Sequence, residues 1–193
     1  VSAAQPKLAS CGVLRLMRLR IFGRGRLSVD FGKAKREFGS VLPFAHSHGA
    51  WSLEGGSLQG LALDHAESVT GNYYTKDALL RCNLTPQNGG SHLVGLRVQG
   101  ARRGYYAGFA DGEVVILKHA NGCMETLASA PYGLETGKGY SLEMRAQGEK
   151  LSLAVNGEPV LAAADGDFAY GMGALALYGM GRCLFNGFTL EAL

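Results

Sequence analysis

Short runs of alternating hydrophobic and polar residues repeat along most of the chain, most regularly from Trp51 onward. The runs are about six to nine residues long and recur about every eight to twelve residues, as strands of an antiparallel sheet do. Turn-forming segments such as PQNGG, DG, NG and NGE separate them. No long window shows the 3.6-residue period of a helix. The pattern predicts an all-β protein, an antiparallel two-sheet β-sandwich.

The alternation also predicts which residues of each strand share a face. In SHLVGLRVQ, we expect Val94, Leu96 and Val98 to face one way and Arg97 and Gln99 the other. Further residues are expected to face the core from neighbouring strands: Leu80, Cys82 and Leu84, then Leu142, Met144 and Ala146, then Leu151, Leu153 and Val155. Several strands therefore have one apolar face and one polar face, which is either a solvated exterior or a binding surface.

Composition supports this fold and bounds the domain count. Glycine is unusually frequent, at 29 of 193 residues, and is scattered without a collagen period, while charged residues make up only 18%. We expect a lead-in at residues 1–12 and one sandwich domain over 13–193. Within that domain, 13–49 would form basic N-terminal strands and 50–193 the main body. FGKAKREFG is expected to form one helical turn.

Charge is unevenly distributed along the chain. Residues 1–50 carry nine Lys and Arg against Asp30 and Glu37, whereas residues 51–193 carry ten basic and fourteen acidic residues. No aromatic platform or nucleic-acid motif accompanies the basic segment, so we interpret it as solvated strand edges and do not expect nucleic acid as a partner. No apolar stretch is long enough for a membrane span, so no membrane association is expected.

The cysteines Cys11, Cys82, Cys123 and Cys183 are widely spaced, without a C-x-x-C pair. Cys82 and Cys183 fall in apolar runs, where free cysteine packs as a small hydrophobe. We therefore expect reduced thiols and a cytoplasmic rather than a secreted protein. The chain begins at Val1, and we expect it to be part of a longer protein.

The order of motifs after residue 50 resembles the concanavalin A-like lectin/glucanase superfamily, near the laminin-G-like jelly rolls and the 3-keto-disaccharide hydrolase domain. The resemblance rests on an opening Trp51 hairpin, Lys118, the Gly139–Gly148 strand, Asp165 and a closing Phe-rich strand, together with the turn Val155-Asn156-Gly157. It implies a jelly-roll, concanavalin A-like sandwich and a carbohydrate ligand.

A second resemblance covers SVTGNYYTKDALLR and GGSHLVGLRVQGARRGYYAGF. These segments are similar to the sandwich appended to some bacterial ADP-ribosylglycohydrolases. The resemblance implies an accessory domain of such an enzyme, with the catalytic domain of the parent chain as a partner and an ADP-ribose-like glycoconjugate as a ligand.

Catalytic machinery is not visible in the sequence. Glycosidases need two carboxylates about 5 to 9.5 Å apart, and the E-x-D-x-x-E pattern of related hydrolases does not occur. His46 and His48 would lie on one side of a strand, but no third metal ligand is spaced nearby, and His65, His92 and His119 are scattered. We predict no catalytic residue, no metal site and no cofactor.

Binding residues are more plausible, because sugars are held by planar side chains and by amide, guanidinium and carboxylate groups. Candidate ligand-binding residues occupy predicted polar faces or strand ends: Arg81, Asn83, Arg97, Gln99, Tyr106, Arg102, Arg103 and Tyr74. The alternative is that Tyr74 and Tyr106 pack half-buried in the sheet while the arginines only solvate an exposed face. Trp51 is expected to anchor the core.

Taken together, the residues and the resemblances predict a non-catalytic carbohydrate- or glycoconjugate-binding accessory module of a larger enzyme. The sequence leaves two alternatives open. One is a glycoside hydrolase acting on 3-keto-sugars, and the other is a structural domain that forms homo-oligomers through its strand edges or flat face.

Overall fold

The computed structural model describes residues 25–37 and 39–193. The expected lead-in at 1–12 and the strand-like segment from Leu14 to Phe22 lie outside these residues. Within the described part the chain forms seventeen strands. They are β1 Arg26–Val29, β2 Arg36–Glu37, β3 Ser40–Val41, β4 Ala45–His48, β5 Ala50–Glu54, β6 Ser57–Ala62, β7 His65–Thr70, β8 Ala78–Gly89, β9 Ser91–Gly100, β10 Arg103–Ala110, β11 Glu113–Ala120, β12 Cys123–Pro131, β13 Tyr140–Gln147, β14 Lys150–Val155, β15 Glu158–Ala164, β16 Met172–Tyr178 and β17 Gly181–Ala192.

Two large antiparallel sheets form the sandwich, which confirms the predicted fold class. The first sheet has the order β15-β14-β13-β8-β17-β6-β5, with β1 paired to the last part of β17. The second sheet has the order β12-β11-β10-β9-β16-β7-β4, and β2 and β3 pair with each other. The predicted helical turn in FGKAKREFG is wrong, since its described residues form turns, a bend and the β2 strand and no helix. No helix among the described residues is long and apolar enough to cross a membrane.

The tight turns have the chemistry that the sequence predicted. Asp111-Gly112, Asn121-Gly122 and Asn156-Gly157 each have positive φ at both residues. This is the conformation of the two-residue hairpin turn that matches the twist of the flanking strands. Only glycine, asparagine and aspartate adopt it at low cost, so these dipeptides fix where each hairpin reverses.

The main core lies between the sheets and contains the strand faces that the sequence predicted, including Leu80, Leu84, Leu142 and Leu153. Trp51 is buried there and donates its indole N–H to the His48 carbonyl at 2.8 Å, which confirms it as a core anchor. Burying a leucine side chain stabilises the fold by about 1.5–3 kcal/mol. Cys82 and Cys183 are free and buried, whereas Cys123 is free and exposed.

Strand β9 departs from simple alternation at Arg97, where φ is +54°. The β9–β10 register also shifts between Arg103 and Tyr105, which marks a bulge. Beyond Arg97 the faces exchange, so Val98 packs outside the second sheet and not with Val94 and Leu96 in the core. The prediction for Val98 is therefore wrong, because a bulge reverses the two-residue period.

One glycine joins the two sheets. Strand β4 belongs to the second sheet and β5 to the first, and only Gly49 lies between them. Its φ is +76°, and a Cβ there would lie 2.3 Å from the Ala66 Cβ and 2.9 Å from the Leu61 carbonyl oxygen. A glycine is thus required for this crossing.

Candidate functional site: a polar cluster on the second sheet

The outer face of the second sheet carries a small apolar cluster of its own. Its buried residues come from β9, β10, β11 and β16: Leu93, Val98, Tyr106, Val115, Leu117, Ala174 and Ala176. The Tyr106 ring lies over Gly95, where a Cβ would be 3.0 Å from its Cδ1 atom. The small residues of β9 and β16 therefore leave room for Tyr106, and its ring fills the space that a side chain at Gly95 would occupy.

Tyr106 reaches across the sheet to a buried carboxylate on β7. Its hydroxyl donates to Glu67 Oε2 at 2.7 Å, and the backbone N–H of Arg102 donates to the same oxygen at 3.3 Å. Glu67 is fully buried. Burial raises the pKa of Glu67, although the hydrogen bond from Tyr106 opposes this shift. Since Arg102 lies in the β9–β10 turn, these contacts place that turn over the outer face of the sheet.

The Arg102 side chain continues toward the β6–β7 turn. One terminal nitrogen lies 2.8 Å from Asp64 Oδ2 and 3.0 Å from His65 Nδ1. The His65 ring in turn lies against His48, with centroids 4.1 Å apart. Burial, followed by the charge of Arg102, lowers the pKa of His65 to about 4. His65 is therefore neutral near pH 7. Because Arg102 donates to His65 Nδ1, the proton of the neutral His65 ring is on Nε2.

Tyr178 completes the arrangement at the end of β16. Its ring is stacked on His65 with centroids 5.7 Å apart, and it contacts Tyr106 and His119 edge-on, each at 5.4 Å. Burial lowers the pKa of His119, and the charge of Arg102 adds to this shift. We call these side chains the outer-face polar cluster: Asp64, His65, Glu67, Arg102, Tyr106, His119 and Tyr178.

Four buried polar atoms of this cluster have no hydrogen-bond partner within the described residues. They are His65 Nε2, Arg102 Nε, His119 Nδ1 and the Tyr178 hydroxyl. A buried polar group without a partner costs about 1–3 kcal/mol, so such groups are normally satisfied by water or by a ligand. The cluster thus combines ring faces with unused donors and acceptors.

An open depression of about 480 Å³ borders the cluster. His48, Asp64 and His65 form its polar side, while Leu61 and Leu63 form an apolar side. The Leu63 side chain is 84% exposed. The depression therefore gives a small molecule access to the edge of the cluster and offers both polar and apolar contacts.

The histidine pair singled out in the sequence does not form a metal site. His46 is bonded to protein groups at both ring nitrogens, to Ser68 Oγ at 2.7 Å and to the Val41 N–H at 3.0 Å. His48 instead contacts His65. No group of three or more metal-binding side chains occurs in the part of the chain that the structure describes.

The structure separates the predicted ligand-binding residues. Arg102 and Tyr106 belong to the outer-face polar cluster, but Tyr106 is fully buried and presents no free surface. Arg81 and Asn83 lie on β8 in the other sheet, where Arg81 pairs with Glu143 at 2.6 Å. The candidate residues therefore do not share one face, because β8 and β9 are consecutive in sequence but belong to different sheets.

Arg97, Gln99 and Arg103 hold loops in place. The buried Arg97 guanidinium donates to the carbonyls of Lys76 and Phe168 at 2.9 and 3.0 Å and pairs with Asp77 at 3.2 Å. The Gln99 amide donates to the Tyr170 carbonyl at 3.0 Å, and the Arg103 guanidinium lies over the Phe168 ring. The side chain of Arg97 is thus committed to the structure. Tyr74, the remaining candidate, lies with Tyr73 and Tyr170 in an exposed group of rings.

Lys118 and Asp165, the motif residues of the family resemblance, form a second polar cluster. Lys118 Nζ lies 2.7 Å from Asp165, 3.0 Å from Asp167 and 2.9 Å from Glu125. The Tyr105 hydroxyl donates to Asp165. Burial disfavours the charged form of Asp165, but hydrogen bonds from Lys118 and Tyr105 outweigh it and lower the pKa of Asp165. We call these five side chains the Asp165 cluster. They tie the loop after β15 to the second sheet.

Sequence reasoning missed Asp64, His65, Glu67, His119 and Tyr178. The alternation does place His65 with Glu67, and Tyr178 with Ala176, on common faces. What it lacks is the pairing of β7 with β16, in which His65 opposes Tyr178 although the two are far apart in the chain.

The architecture defines a jelly-roll β-sandwich of the galectin-like kind. No protein-family model matches the chain, and no curated protein matches it. Among solved structures, the carbohydrate-binding module CBM66 from Bacillus subtilis is similar, with a TM-score of 0.72 and 21% identity over 77% of this chain and 94% of that one.

Two other solved structures share the fold. A Bacillus subtilis protein of unknown function with a galectin-like fold has a TM-score of 0.62 and 11% identity, covering 86% of this chain and 98% of its own. A sialidase has a TM-score of 0.64 and 12% identity over 87% of this chain but only 18% of the sialidase chain. At these identities the likeness establishes the fold alone.

Proposed function

We propose that this chain is a carbohydrate-binding module that holds its ligand at the outer-face polar cluster. The observation that carries the proposal is the open depression of about 480 Å³ at the edge of the cluster, where the exposed Asp64 carboxylate faces the apolar side chains of Leu61 and Leu63. A carboxylate accepts hydrogen bonds from sugar hydroxyls, and leucine side chains pack against the apolar face of a sugar ring. The likeness to a carbohydrate-binding module supports the proposal at the level of fold.

The charges of the cluster favour a neutral glycan. Arg102 is already paired with Asp64, and burial raises the pKa of Glu67. His65 and His119 have lowered pKa values because they are buried. An anionic sugar would find no unpaired cation among these groups, whereas hydroxyl groups match their neutral donors and acceptors.

We further propose that the module serves a larger enzyme. The resemblance to the sandwich of bacterial ADP-ribosylglycohydrolases supports this role, and it makes ADP-ribose a ligand to be tested beside neutral sugars. Binding of ADP-ribose in preference to all neutral sugars would favour that parent enzyme.

Calorimetric titration with glucose, galactose, mannose, fructose, their linear oligosaccharides and ADP-ribose tests the proposal. We expect one neutral sugar series to bind. Asp64→Ala removes the exposed carboxylate of the depression and should weaken that binding about tenfold, the equivalent of one hydrogen bond. Tyr140→Phe removes a hydroxyl that accepts the Glu135 N–H at the first sheet and should leave the affinity unchanged.

Either of two results would count against this assignment. If no sugar in the panel binds the folded protein, the function is wrong. If a sugar binds but Asp64→Ala and Tyr140→Phe retain equal affinity, the ligand lies elsewhere than at the outer-face polar cluster.

A further inference from the structure

Three tyrosines form an exposed group of rings at one end of the sandwich. The Tyr73 ring centroid lies 5.3 Å from that of Tyr74 and 5.5 Å from that of Tyr170, and Tyr74 lies 6.1 Å from Tyr170. Tyr74 is 74% exposed and Tyr73 is 36% exposed. We call this group the tyrosine cluster. Adjacent exposed aromatic rings are uncommon on a protein surface without a binding partner.

Hydrogen bonds hold the two loops that carry these rings. The Asn72 side chain accepts the Tyr74 N–H at 3.0 Å, and the Asn72 carbonyl accepts the Thr75 N–H at 3.1 Å. The Thr75 carbonyl accepts the Gly171 N–H at 2.9 Å, which joins the two loops. The rings are therefore held in position before any ligand arrives, so binding there costs little ordering of the loops.

The tyrosine cluster lies beside the hairpin that also supplies Arg102. Gln99 on β9 donates its side-chain amide to the Tyr170 carbonyl at 3.0 Å. Gln99 and Arg102 are three residues apart, so their Cα atoms are separated by at most about 11 Å. His65 and Tyr178, however, lie at the opposite ends of β7 and β16 from the loops that carry the tyrosine cluster, about 20 Å away at about 3.3 Å per residue. Only the longer members of an oligosaccharide series can therefore reach from one cluster to the other.

Ring faces and a few charged groups surround the tyrosine cluster. Arg97 is engaged with Asp77 and two carbonyls. Arg103 lies over the Phe168 ring and donates to Gln99. Arg103 and the exposed Lys76 form no ion pair among the described residues, so two cations border the rings. Tyrosine rings pack well against the apolar face of a sugar ring, and their hydroxyls remain available for hydrogen bonds.

We propose that the tyrosine cluster is a second subsite, which stacks one ring of a neutral oligosaccharide whose other end occupies the outer-face polar cluster. This inference rests on the proposed function and adds an extended ligand with more than one ring. The outer-face polar cluster sets which sugar binds, and the tyrosine cluster adds affinity with chain length.

The test is the dependence of affinity on chain length. Gluco-, galacto-, manno- and fructo-oligosaccharides of one to six rings are titrated into the full chain by calorimetry. In the series that binds, we expect affinity to rise about tenfold between short and long members, the worth of one aromatic stacking contact. Tyr74→Ala should abolish this rise and leave the affinity for the monosaccharide unchanged. Asp64→Ala should weaken binding at every length.

Leu53→Ala serves as the matched control, since it removes another exposed apolar side chain, at the edge strand of the first sheet, and should preserve the rise. A monosaccharide that binds without any gain from added rings, or a gain that survives Tyr74→Ala, overturns the second subsite while the proposed function stands. Binding of an oligonucleotide that Tyr74→Ala abolishes also overturns the second subsite. If no sugar binds, the proposed function and this inference both fall.

Discussion

The Asp165 cluster and the outer-face polar cluster both place charged groups and a buried tyrosine on the second sheet, yet they differ in how completely they are paired. In the Asp165 cluster the Tyr105 hydroxyl donates to Asp165 and accepts the Phe168 N–H at 3.0 Å. In the outer-face polar cluster the Tyr178 hydroxyl lies near Tyr106 and Glu67 but makes no hydrogen bond of good geometry in the described part of the chain. Saturated groups stabilise a fold, whereas unused groups cost stability until a ligand or water meets them.

The largest effect should come from the saturated tyrosine. Tyr105→Phe keeps the ring in the core but leaves the buried Phe168 N–H without an acceptor and Asp165 without one of its donors. We expect the free energy of unfolding to fall by about 2 kcal/mol, as for loss of a hydrogen bond to a charged group. Urea denaturation followed by tryptophan fluorescence measures it. A loss below about 0.5 kcal/mol, the range of neutral surface substitutions, would show that the hydrogen bonds of the Asp165 cluster do not stabilise the fold.

The unsatisfied tyrosine should respond in the opposite direction. Tyr178→Phe removes a buried hydroxyl without a partner among the described residues and keeps the ring that packs on His65 and Tyr106. The free energy of unfolding should rise by about 1 kcal/mol, since the desolvation cost of that hydroxyl disappears. The same urea titration provides the measurement, with Tyr105→Phe as its counterpart. If Tyr178→Phe destabilises the protein as much as Tyr105→Phe does, the two clusters are equally paired in solution and the comparison fails.

A third effect concerns pH. Burial and the charge of Arg102 lower the pKa of His65 from 6.5 to about 4. Between these values the unfolded chain binds a proton that folded His65 does not, so stability is highest above pH 6.5 and falls as the pH drops toward 4. His65→Gln should make the free energy of unfolding depend less steeply on pH, and the slope should change by the equivalent of at most one bound proton.

The fall should not vanish in His65→Gln, because burial also lowers the pKa of His92 to about 4 and lowers the pKa values of His46 and His119. Unfolding midpoints measured from about pH 7 to about pH 4 for the wild type and both single variants, His65→Gln and His92→Gln, separate the two contributions. An unchanged slope in His65→Gln would mean that His65 is solvated and free to titrate, contrary to its place beneath Arg102.

Local sequence chemistry is enough to predict much of the fold. The Asp111-Gly112 and Asn156-Gly157 turns and the Trp51 anchor follow from residues a few positions apart. The bulge at Arg97 cannot be predicted in this way, because no residue in SHLVGLRVQ indicates a positive φ at an arginine. Its cost is offset by the buried bonds that Arg97 makes to Lys76 and Phe168.

The site is harder to predict than the fold for a related reason. The sequence identifies Arg102 as a candidate, but its partners Asp64 and His65 come from a turn on another hairpin. Pairing between β7 and β16 brings Tyr178 beside His65, and neither strand carries a motif that specifies the other. Long-range strand order, more than residue type, determines which side chains meet on this face.

The crossing at Gly49 has a consequence for the speed of ligand binding. His48, Gly49 and Ala50 form one wall of the depression beside the outer-face polar cluster, and this wall is a single backbone segment shared by both sheets. This backbone segment cannot move as a flexible loop does without separating the two sheets of the sandwich. A ligand should therefore associate in one step, with a rate proportional to its concentration and no slow closing phase, and differences in affinity between ligands should reside in how long each stays bound.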